Sequence, residues 1–278
     1  MTNSIPVFYH IPKSSGTYVY TCMLGSIKNN IESNAICFHI NDKQHILARV
    51  IASVNKSEES AIESHDFEKL SILGVFIEAS GFRHADEILN SIFKKTKTRP
   101  DLYKFITLRE PFSRERSLYH YLTSDKSKYE LTHGALKSPC FEQHIMSRQL
   151  QESWLIRSLL NLTHDIELTE EHFDQTCKIL QGFKVYDSVR AEEAVKETLS
   201  KCFGIKNFNQ DDYRFIKNEN IYNKIEFDQL APDLQKRFND RKKWDRKLYD
   251  FFIKEKVGEL DEFMNIEIIN KIMDKQQT

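Results

Sequence analysis

Short apolar runs recur along the chain, and segments with helical spacing separate them. Apolar runs of about four to eight residues between polar segments are typical of buried strands. Five such runs are predicted to be strands, at 5–9, 35–40, 73–79, 103–108 and 183–189. The run LGVFIEA at 73–79 is almost continuously apolar, as expected for a strand that is covered on both faces.

The segments between these strands carry apolar residues at helical spacing. Helices are predicted at 18–28, 42–54, 84–95, 140–160, 170–180 and 191–203, with a further one starting at Pro111. Strands that alternate with helices predict a parallel sheet covered on both faces. We therefore expect an α/β fold with three αβα layers, a central parallel sheet of about five strands, and extra helices near the C-terminal end.

Composition and charge narrow the class of protein. The 278 residues include only 8 glycines and 6 prolines, with no Ser/Gly-rich linker, so we expect one domain over 1–278. Within it, 124–182 is expected to be a helical insertion and 205–278 a C-terminal helical part. A net charge of −1 argues against nucleic acid as the main partner.

Three further absences in the sequence concern location and metal binding. No apolar run is long enough to span a bilayer, and the N-terminus lacks the pattern of a secretion signal. The five cysteines are scattered and form no C-x-x-C pair. No cluster of Cys, His, Asp or Glu has the spacing of a metal site. These features predict a cytoplasmic protein with reduced thiols and no bound metal.

A polar loop follows the first predicted strand and opens the first helix. It contains Lys13, two serines, Gly16 and Thr17. The first amides of a helix have no internal partners and its dipole favours negative charge, so this loop predicts an anion site. It is not a Walker A motif, because the lysine comes first instead of following the second glycine. The simpler interpretation is a strand-to-helix turn whose hydroxyls cap the helix.

A second polar segment follows the predicted strand at 103–108. Arg109 stands at the strand's carboxyl end, Pro111 suits the first turn of a helix, and Ser117 lies two turns further on. A guanidinium and a hydroxyl that converge there could bind a phosphate monoester. Carboxyl ends of parallel strands share one edge of the sheet, which is where ligands bind in such folds. The alternative is a structural arginine at a helix start.

Both segments resemble motifs of sulfotransferases that use PAPS (3'-phosphoadenosine 5'-phosphosulfate). HIPKSSGT at 10–17 is similar to the 5'-phosphosulfate loop, commonly H-x-P-K-S/T-A/G/S-G/S-S/T in glycan-type and bacterial members. REPFSRERSLY at 109–119 is similar to the 3'-phosphate segment, R-D/E-P-x-x-R-x-x-S-x-Y. Lys217-Asn218-Glu219 resembles a late h-N-x-S/T turn, and LAPD at 230–233 with DRKLY at 245–249 resembles a closing signature. The resemblance implies a P-loop NTPase-like fold.

The resemblance also implies roles for individual residues. Lys13 would donate to the bridging oxygen of the leaving group, PAP (3'-phosphoadenosine 5'-phosphate), while the rest of the first loop holds the 5'-phosphate. Arg109 and Ser117 would hold the 3'-phosphate, which distinguishes PAPS from ATP. The residues implied to bind PAPS are Lys13, Ser14, Ser15, Gly16, Thr17, Tyr18, Arg109, Ser117, Lys217 and Asn218.

The sequence differs from the family pattern at the position expected for the general base. Family members often place a histidine in a G-H pair after the third strand, whereas this chain has Gly81-Phe82 there and His84 two positions on. His84 is the first candidate, since a neutral imidazole can take a proton near pH 7. Glu78, His39 and His133 are alternatives.

The resemblance implies transfer of a sulfuryl group from PAPS to a hydroxyl. Because the chain lacks strong basic charge, the acceptor is expected to be a small molecule or a short glycan, bound on the side of the 124–182 insertion. Two other classes stay open. One is a P-loop kinase for a small molecule, which would need Mg²⁺ and an acidic strand end. The other is a PAP-binding module without catalysis.

Overall fold

The structure, a computed structural model, describes residues 4–30, 36–40, 46–50, 75–79, 101–123, 140–147, 152–209 and 225–254. Its strands are β1 (Ile5–Tyr9), β2 (Ile36–Ile40), β3 (Ile46–Val50), β4 (Val75–Ala79), β5 (Leu102–Leu108) and β6 (Lys184–Asp187). Its α-helices are α1 (Gly16–Asn30), α2 (Pro111–Thr123), α3 (Phe141–Met146), α4 (Trp154–Leu160), α5 (Glu170–Gln181), α6 (Ala191–Phe203), α7 (Pro232–Arg241) and α8 (Lys243–Tyr249). Short 3₁₀ turns occupy Ser188–Arg190 and Phe227–Gln229, and a π-helical turn follows at Asp250–Lys254.

The strands form one sheet in the order β3-β2-β4-β1-β5-β6. Every neighbouring pair is parallel except β2 and β3, which are antiparallel. The chain leaves β1 toward β2 on one side and later enters β5 on the other side of β1. The sheet therefore has its topological switch point at the carboxyl ends of β1 and β5, which is where ligands bind in open α/β sheets.

The core occupies both faces of the sheet because side chains alternate along each strand. Val7 and Tyr9 of β1 lie on one face, with apolar residues of α4, α5, α8 and the π-helical turn. Phe8 lies on the other face with Phe105 and Phe76, against α1 and α6. This arrangement confirms the expected α/β class and fits three αβα layers.

The predicted helix at 42–54 is wrong in its described part, since Ile46–Val50 is strand β3. It pairs with β2 from Ile36 opposite Val50 to Ile40 opposite Ile46. The segment ILARV is rich in β-branched and apolar residues, and the free edge of β2 offers it a ladder of backbone hydrogen bonds. In the described residues the sheet accordingly has six strands, and β3 is the antiparallel strand added to the parallel sheet of about five that the sequence predicted.

The single helix predicted at 140–160 is also wrong, because the structure has two short helices, α3 and α4. Ser153, just before α4, has a left-handed backbone with φ of 42°, which a continuous helix cannot contain. Its amide and hydroxyl donate to the Arg241 carbonyl, at 3.0 and 3.2 Å. Asp245 then accepts from the Leu155 amide at 3.0 Å and fixes the start of α4. The break is set by residues about 90 positions away in the chain.

The other predicted elements agree with the structure in position, with small shifts at their ends. The helix predicted at 191–203 is confirmed over its full length as α6. The last predicted strand ends early, at Asp187, because its carboxylate accepts from the Val189 amide at 3.1 Å and the chain turns there. The predicted helix at 84–95 lies outside the described residues. Among the described helices, none combines the length and apolar character needed to cross a bilayer.

Candidate phosphate-binding site

The loop between β1 and α1 has an unusual backbone. Lys13 and Ser15 have left-handed φ values of 67° and 63°, and the intervening Ser14 does not. A left-handed backbone costs a residue other than glycine on the order of 1–2 kcal/mol, because its Cβ comes too close to a carbonyl oxygen. An alternation of this kind can turn successive amides toward one side and form an anion-binding nest. The loop therefore has the backbone of an anion site as well as its position.

Three consecutive carbonyls of this loop accept hydrogen bonds from side chains of β5, of α2 and of the connection between them. Arg114 Nε donates to the Pro12 carbonyl at 3.2 Å, and Arg109 Nη1 donates to the Lys13 carbonyl at 3.1 Å. The buried Thr107 hydroxyl donates to the Ser14 carbonyl. In a trans peptide the following N–H points opposite to the carbonyl. Holding these carbonyls toward β5 and α2 therefore directs amides of the loop away from them.

The start of α1 offers further donors. The first helical hydrogen bond runs from the Val19 amide to the Ser15 carbonyl, at 3.1 Å. Within the described part of the chain, the amides of Ser15, Gly16 and Thr17 donate to no protein acceptor. The Ser14 hydroxyl is fully buried and has no hydrogen-bond partner among the same residues. A buried polar atom without a partner is costly, so a ligand oxygen at this position would stabilise it.

Gly16 is required by a close approach to His10. A Cβ placed on Gly16 would lie 1.9 Å from Nε2 of the His10 ring. That ring is stacked on Phe8, with 5.7 Å between ring centroids. The small residue of the loop therefore lets the end of β1 and the start of α1 pack together.

Lys13 brings positive charge to the loop. Its side chain is half-buried, and Nζ lies 4.5 Å from the centre of the Tyr121 ring. Burial, with the nearby charge of Arg109, lowers the pKa of Lys13 below its usual value. No carboxylate of the described residues forms an ion pair with Lys13. Two neighbouring cations and the unpartnered amides of the helix start make this edge of the sheet attractive to an anion.

One face of α2 lies against the loop. Arg114 contacts Pro12, and Tyr121, seven residues further along α2, contacts Lys13. Ser117 lies between them at helical spacing, so it belongs to the same face. It is half-buried, and its hydroxyl makes no hydrogen bond within the part of the chain that the structure describes. The hydroxyl is therefore available to a ligand held beside the loop.

The amino end of α2 is closed to anions by its own glutamate. Glu110 accepts from the Phe112 amide at 3.0 Å and from the Ser113 amide at 2.7 Å. A negative side chain at this position also suits the helix dipole. Any phosphate near α2 must therefore bind through side chains such as Arg109, and not through the amides of this helix.

The carboxyl end of β6 completes the edge of the sheet. The Ser15 hydroxyl donates to the Ser188 carbonyl at 3.0 Å. The preceding residue, Asp187, accepts from the Tyr249 hydroxyl at 2.6 Å. Burial and this hydrogen bond raise the pKa of Tyr249, so the phenol stays protonated as a donor. The loop is thus connected to α8 through two residues.

A cluster of buried charged and polar side chains connects α2 to two other parts of the chain. Glu115 accepts from Lys242 Nζ and from His144 Nε2, both at 2.8 Å, and all three residues are at most 2 % exposed. His144 therefore carries its proton on Nε2, and its buried Nδ1 has no partner among the described residues. Glu115 follows directly after Arg114, so this cluster fixes the turn of α2 that holds the loop.

The structure brings most of the predicted binding residues together. The first loop and Arg109 meet at the carboxyl ends of β1 and β5, as the sequence predicted, and Ser117 lies on the face of α2 that contacts this loop. His84, His133, Lys217 and Asn218 lie outside the described residues.

The two strand candidates for the base have only their backbone described. His39 in β2 and Glu78 in β4 are register partners near the carboxyl ends of these parallel strands. Their side chains lie outside what is described. In the described ranges, no group of three or more His, Cys, Asp or Glu side chains could hold a metal ion.

Sequence reasoning missed the residues that hold the loop. Arg114 is part of the second motif, but its spacing alone does not show that it contacts Pro12. Thr107 ends a buried strand, and a fully buried polar residue beside a ligand loop is the available signal. Glu115, His144 and Lys242 are far apart in sequence and carry no common pattern.

Comparison with known proteins gives no further assignment. No family model matches the chain, and no curated protein matches its sequence.

Proposed function

We propose that this chain is a PAPS-dependent sulfotransferase of P-loop-like architecture that sulfates a hydroxyl of a small molecule or a short glycan. The observation that carries the proposal is the joining of the two phosphate motifs. Three side chains from the second motif's strand and helix bind three consecutive carbonyls of the first motif. An ordinary helix cap needs no such connection to a neighbouring strand.

The residues fit the two phosphates of the donor in different ways. Amides at the start of α1 and the buried Ser14 hydroxyl suit the 5'-phosphate. Arg109 and Ser117 suit the 3'-phosphate, since a guanidinium can bind a phosphate through two parallel hydrogen bonds. PAPS supplies the sulfuryl group that is transferred, and the protein positions its donor groups around the phosphates.

Catalysis by this chain rests on positioning and charge stabilisation. The ammonium group of Lys13 donates a hydrogen bond to the bridging oxygen of PAPS. Negative charge develops on this oxygen as PAP leaves. Held protonated, Lys13 stabilises that charge more in the transition state than in the ground state. His84 is proposed to take the proton of the acceptor hydroxyl.

A P-loop kinase for a small molecule is the main rival function. It needs a free carboxylate at a strand end to hold Mg²⁺. Glu78, near the carboxyl end of β4, has only its backbone described, and the two strand-end acids whose side chains are described are both bonded internally. Glu110 caps α2, and Asp187 accepts from Tyr249 and from the Val189 amide. These hydrogen bonds favour the sulfotransferase over the kinase.

Ligand-dependent melting tests the proposal. PAP should raise the melting temperature of the wild-type protein, because a ligand at a hundred times its Kd adds about 2.7 kcal/mol to the free energy of unfolding. Arg109→Ala should remove most of that shift, whereas Lys196→Gln, a surface change on α6, should keep it. A shift with ATP and Mg²⁺ but none with PAP would reject the sulfotransferase.

Turnover separates an enzyme from a PAP-binding module. Labelled PAPS incubated with the protein and an extract of its own cells should give a labelled product, and Lys13→Ala should lower the rate of its formation by ~10²–10³. PAP binding without any transfer to extract components would leave the binding module as the function.

A further inference from the structure

A cavity of about 400 Å³ lies at the C-terminal helices. None of the residues that line it belongs to the proposed phosphate site. It is lined by Phe173, Lys243, Arg246, Lys247, Asp250 and Phe251. We call it the basic–aromatic groove. Three of these six residues are cations, and they lie at i, i+3 and i+4 of α8, so one helix face presents them together.

The cations of the groove are incompletely neutralised. Lys243 is exposed, and no carboxylate of the described residues pairs with it. Arg246 Nη2 lies 4.0 Å from Glu110 Oε1, at the limit of an ion pair. Lys247 binds Glu170, whose side chain is 65 % exposed and can turn away into water. The groove is therefore positive overall in an otherwise nearly neutral chain.

The acid of the groove does not cancel this charge. Asp250 binds Lys254 one helical turn further on, at 2.7 Å. Its charge is therefore shared with a lysine outside the groove. The lining therefore keeps three cations against one carboxylate.

The floor of the groove is aromatic. Lys247 Nζ lies 4.1 Å from the centre of the Phe173 ring, and Lys243 Nζ lies 4.7 Å from that of Trp244. Phe251 meets Phe173 edge to face, with 6.1 Å between ring centroids. These contacts hold the ammonium groups at the ring faces. A ligand that combines a negative group with a ring would match both the charge and the floor.

Two contacts place the groove next to the proposed donor site. Arg246 approaches Glu110, the residue after Arg109. Tyr249, at the end of α8, binds Asp187, whose neighbour Ser188 accepts from the Ser15 hydroxyl. A π-helical turn starts directly after Tyr249, and such turns are frequent at functional sites.

We propose that the basic–aromatic groove binds a carboxylate or sulfate ester carried on a ring of the acceptor. This inference rests on the proposed sulfotransferase function. It narrows the acceptor to a molecule that carries a negative charge before it is sulfated, such as a uronic acid or a sulfated sugar. The cations hold the negative group, the aromatic floor contacts the ring, and the link through Tyr249 orients the acceptor toward the Lys13 loop.

Fluorescence can report binding at the groove directly. The chain has two tryptophans, Trp154 and Trp244, and the ring of Trp244 contacts two lysines of the groove, Lys243 and Lys247. In a Trp154→Phe background, glucuronate should change the Trp244 emission saturably, and glucose, its neutral match, should not. Saturation-transfer NMR with glucuronate on the wild-type protein checks that the background substitution has not created the effect.

Substitution of the cations tests the assignment of the site. Lys243→Gln with Lys247→Gln should weaken glucuronate binding about tenfold, since each exposed ion pair contributes roughly 0.2–1 kcal/mol. Lys196→Gln, on α6, is the matched control and should leave the Kd unchanged. Equal binding of glucose, or an unchanged Kd in the double variant, would overturn the proposal.

Measurements with PAP distinguish a failure of this inference from a failure of the proposed function. PAP should raise the melting temperature equally in the wild-type protein and in the Lys243→Gln, Lys247→Gln variant, and it should not displace glucuronate. Displacement by PAP would assign the groove to the donor and overturn the acceptor site. Glucuronate binding in a protein that PAP does not stabilise would reject the sulfotransferase and, with it, an acceptor role for the groove.

Discussion

Replacing Lys242 with methionine should strongly destabilise the protein, because the change leaves the charge of Glu115 buried without its cation. The two residues are each 1 % exposed, and Lys242 Nζ donates to Glu115 Oε2 at 2.8 Å. Methionine fits a similar volume, so loss of packing is small. The remaining hydrogen bond from His144 supplies a donor but does not replace the full charge.

The expected magnitude follows from this burial. Removing one partner of a buried ion pair costs about 3–5 kcal/mol. In a chain of this size each kcal/mol lowers the melting temperature by roughly 2–4 °C, so we expect a decrease on the order of 10 °C. Lys196→Met is the matched control, because Lys196 pairs with Glu192 at the surface and is 51 % exposed. Such surface pairs contribute about 0–1 kcal/mol.

The pH dependence gives a second, independent test. Burial alone would raise the pKa of Glu115, but Lys242, the hydrogen bond from His144 and the charge of Arg114 together lower it from 4.5 to about 2. A lowered pKa stabilises the wild-type fold above the unfolded value, and that stability is lost as the pH falls toward 2. Without Lys242, the largest of these lowering effects is lost, so the pKa of Glu115 rises above its wild-type value. The difference between variant and wild type should then shrink as the pH falls from 7.

Urea unfolding at pH 7 and pH 4.5 measures both effects. A double variant, Glu115→Gln with Lys242→Met, should recover part of the lost stability, because it removes both charges of the pair while Arg114 and Asp245 stay buried beside each other. The reasoning fails if Lys242→Met costs no more than Lys196→Met, or if its cost grows toward acid pH.

The remaining predictions concern the proposed site. Lys13→Ala should lower turnover by ~10²–10³ with little change in PAP affinity, as for other donors to a developing charge; Arg109→Ala should mainly weaken PAP binding, and wild-type kinetics in both would show that the motifs are misassigned. Because the pKa of Lys13 is lowered, turnover should decline on the alkaline side at a pH below its ordinary value of 10.5, in a pH–rate profile. Gly16→Ala should destabilise the fold by about 1–3 kcal/mol through a clash with His10, and adding His10→Ala should relieve it in thermal unfolding. His84→Ala should cut turnover by ~10²–10⁴ and leave PAP binding intact, whereas a loss of stability with normal turnover would make His84 structural.

Local patterns predicted the elements that this site is built on. The apolar runs at 5–9 and 103–108 are strands because no helical period competes with them, and the polar residues that follow each run mark its carboxyl end. Parallel strands share that end, so the meeting of the Lys13 loop with Arg109 followed from the sequence alone. Pro111 likewise marked the start of α2.

Long-range contacts decided the rest. The segment at 46–50 has residues that suit either a helix or a strand, and only the open edge of β2 makes it a strand. Ser153 interrupts the predicted helix at 140–160 because Arg241 and Asp245 bind the chain there. Hydrogen bonds between residues about 90 positions apart leave no periodic trace in a sequence.

The sequence by itself determined the five strands of the parallel part of the sheet and the chemical character of the two motifs. Tertiary structure decided how the first motif is held, through Thr107, Arg109 and Arg114, and which charges are buried beneath it. The physical reason is that hydrophobic period and capping act within a few residues. A hydrogen bond or ion pair between distant segments exists only once the sheet and its helices have brought them into contact.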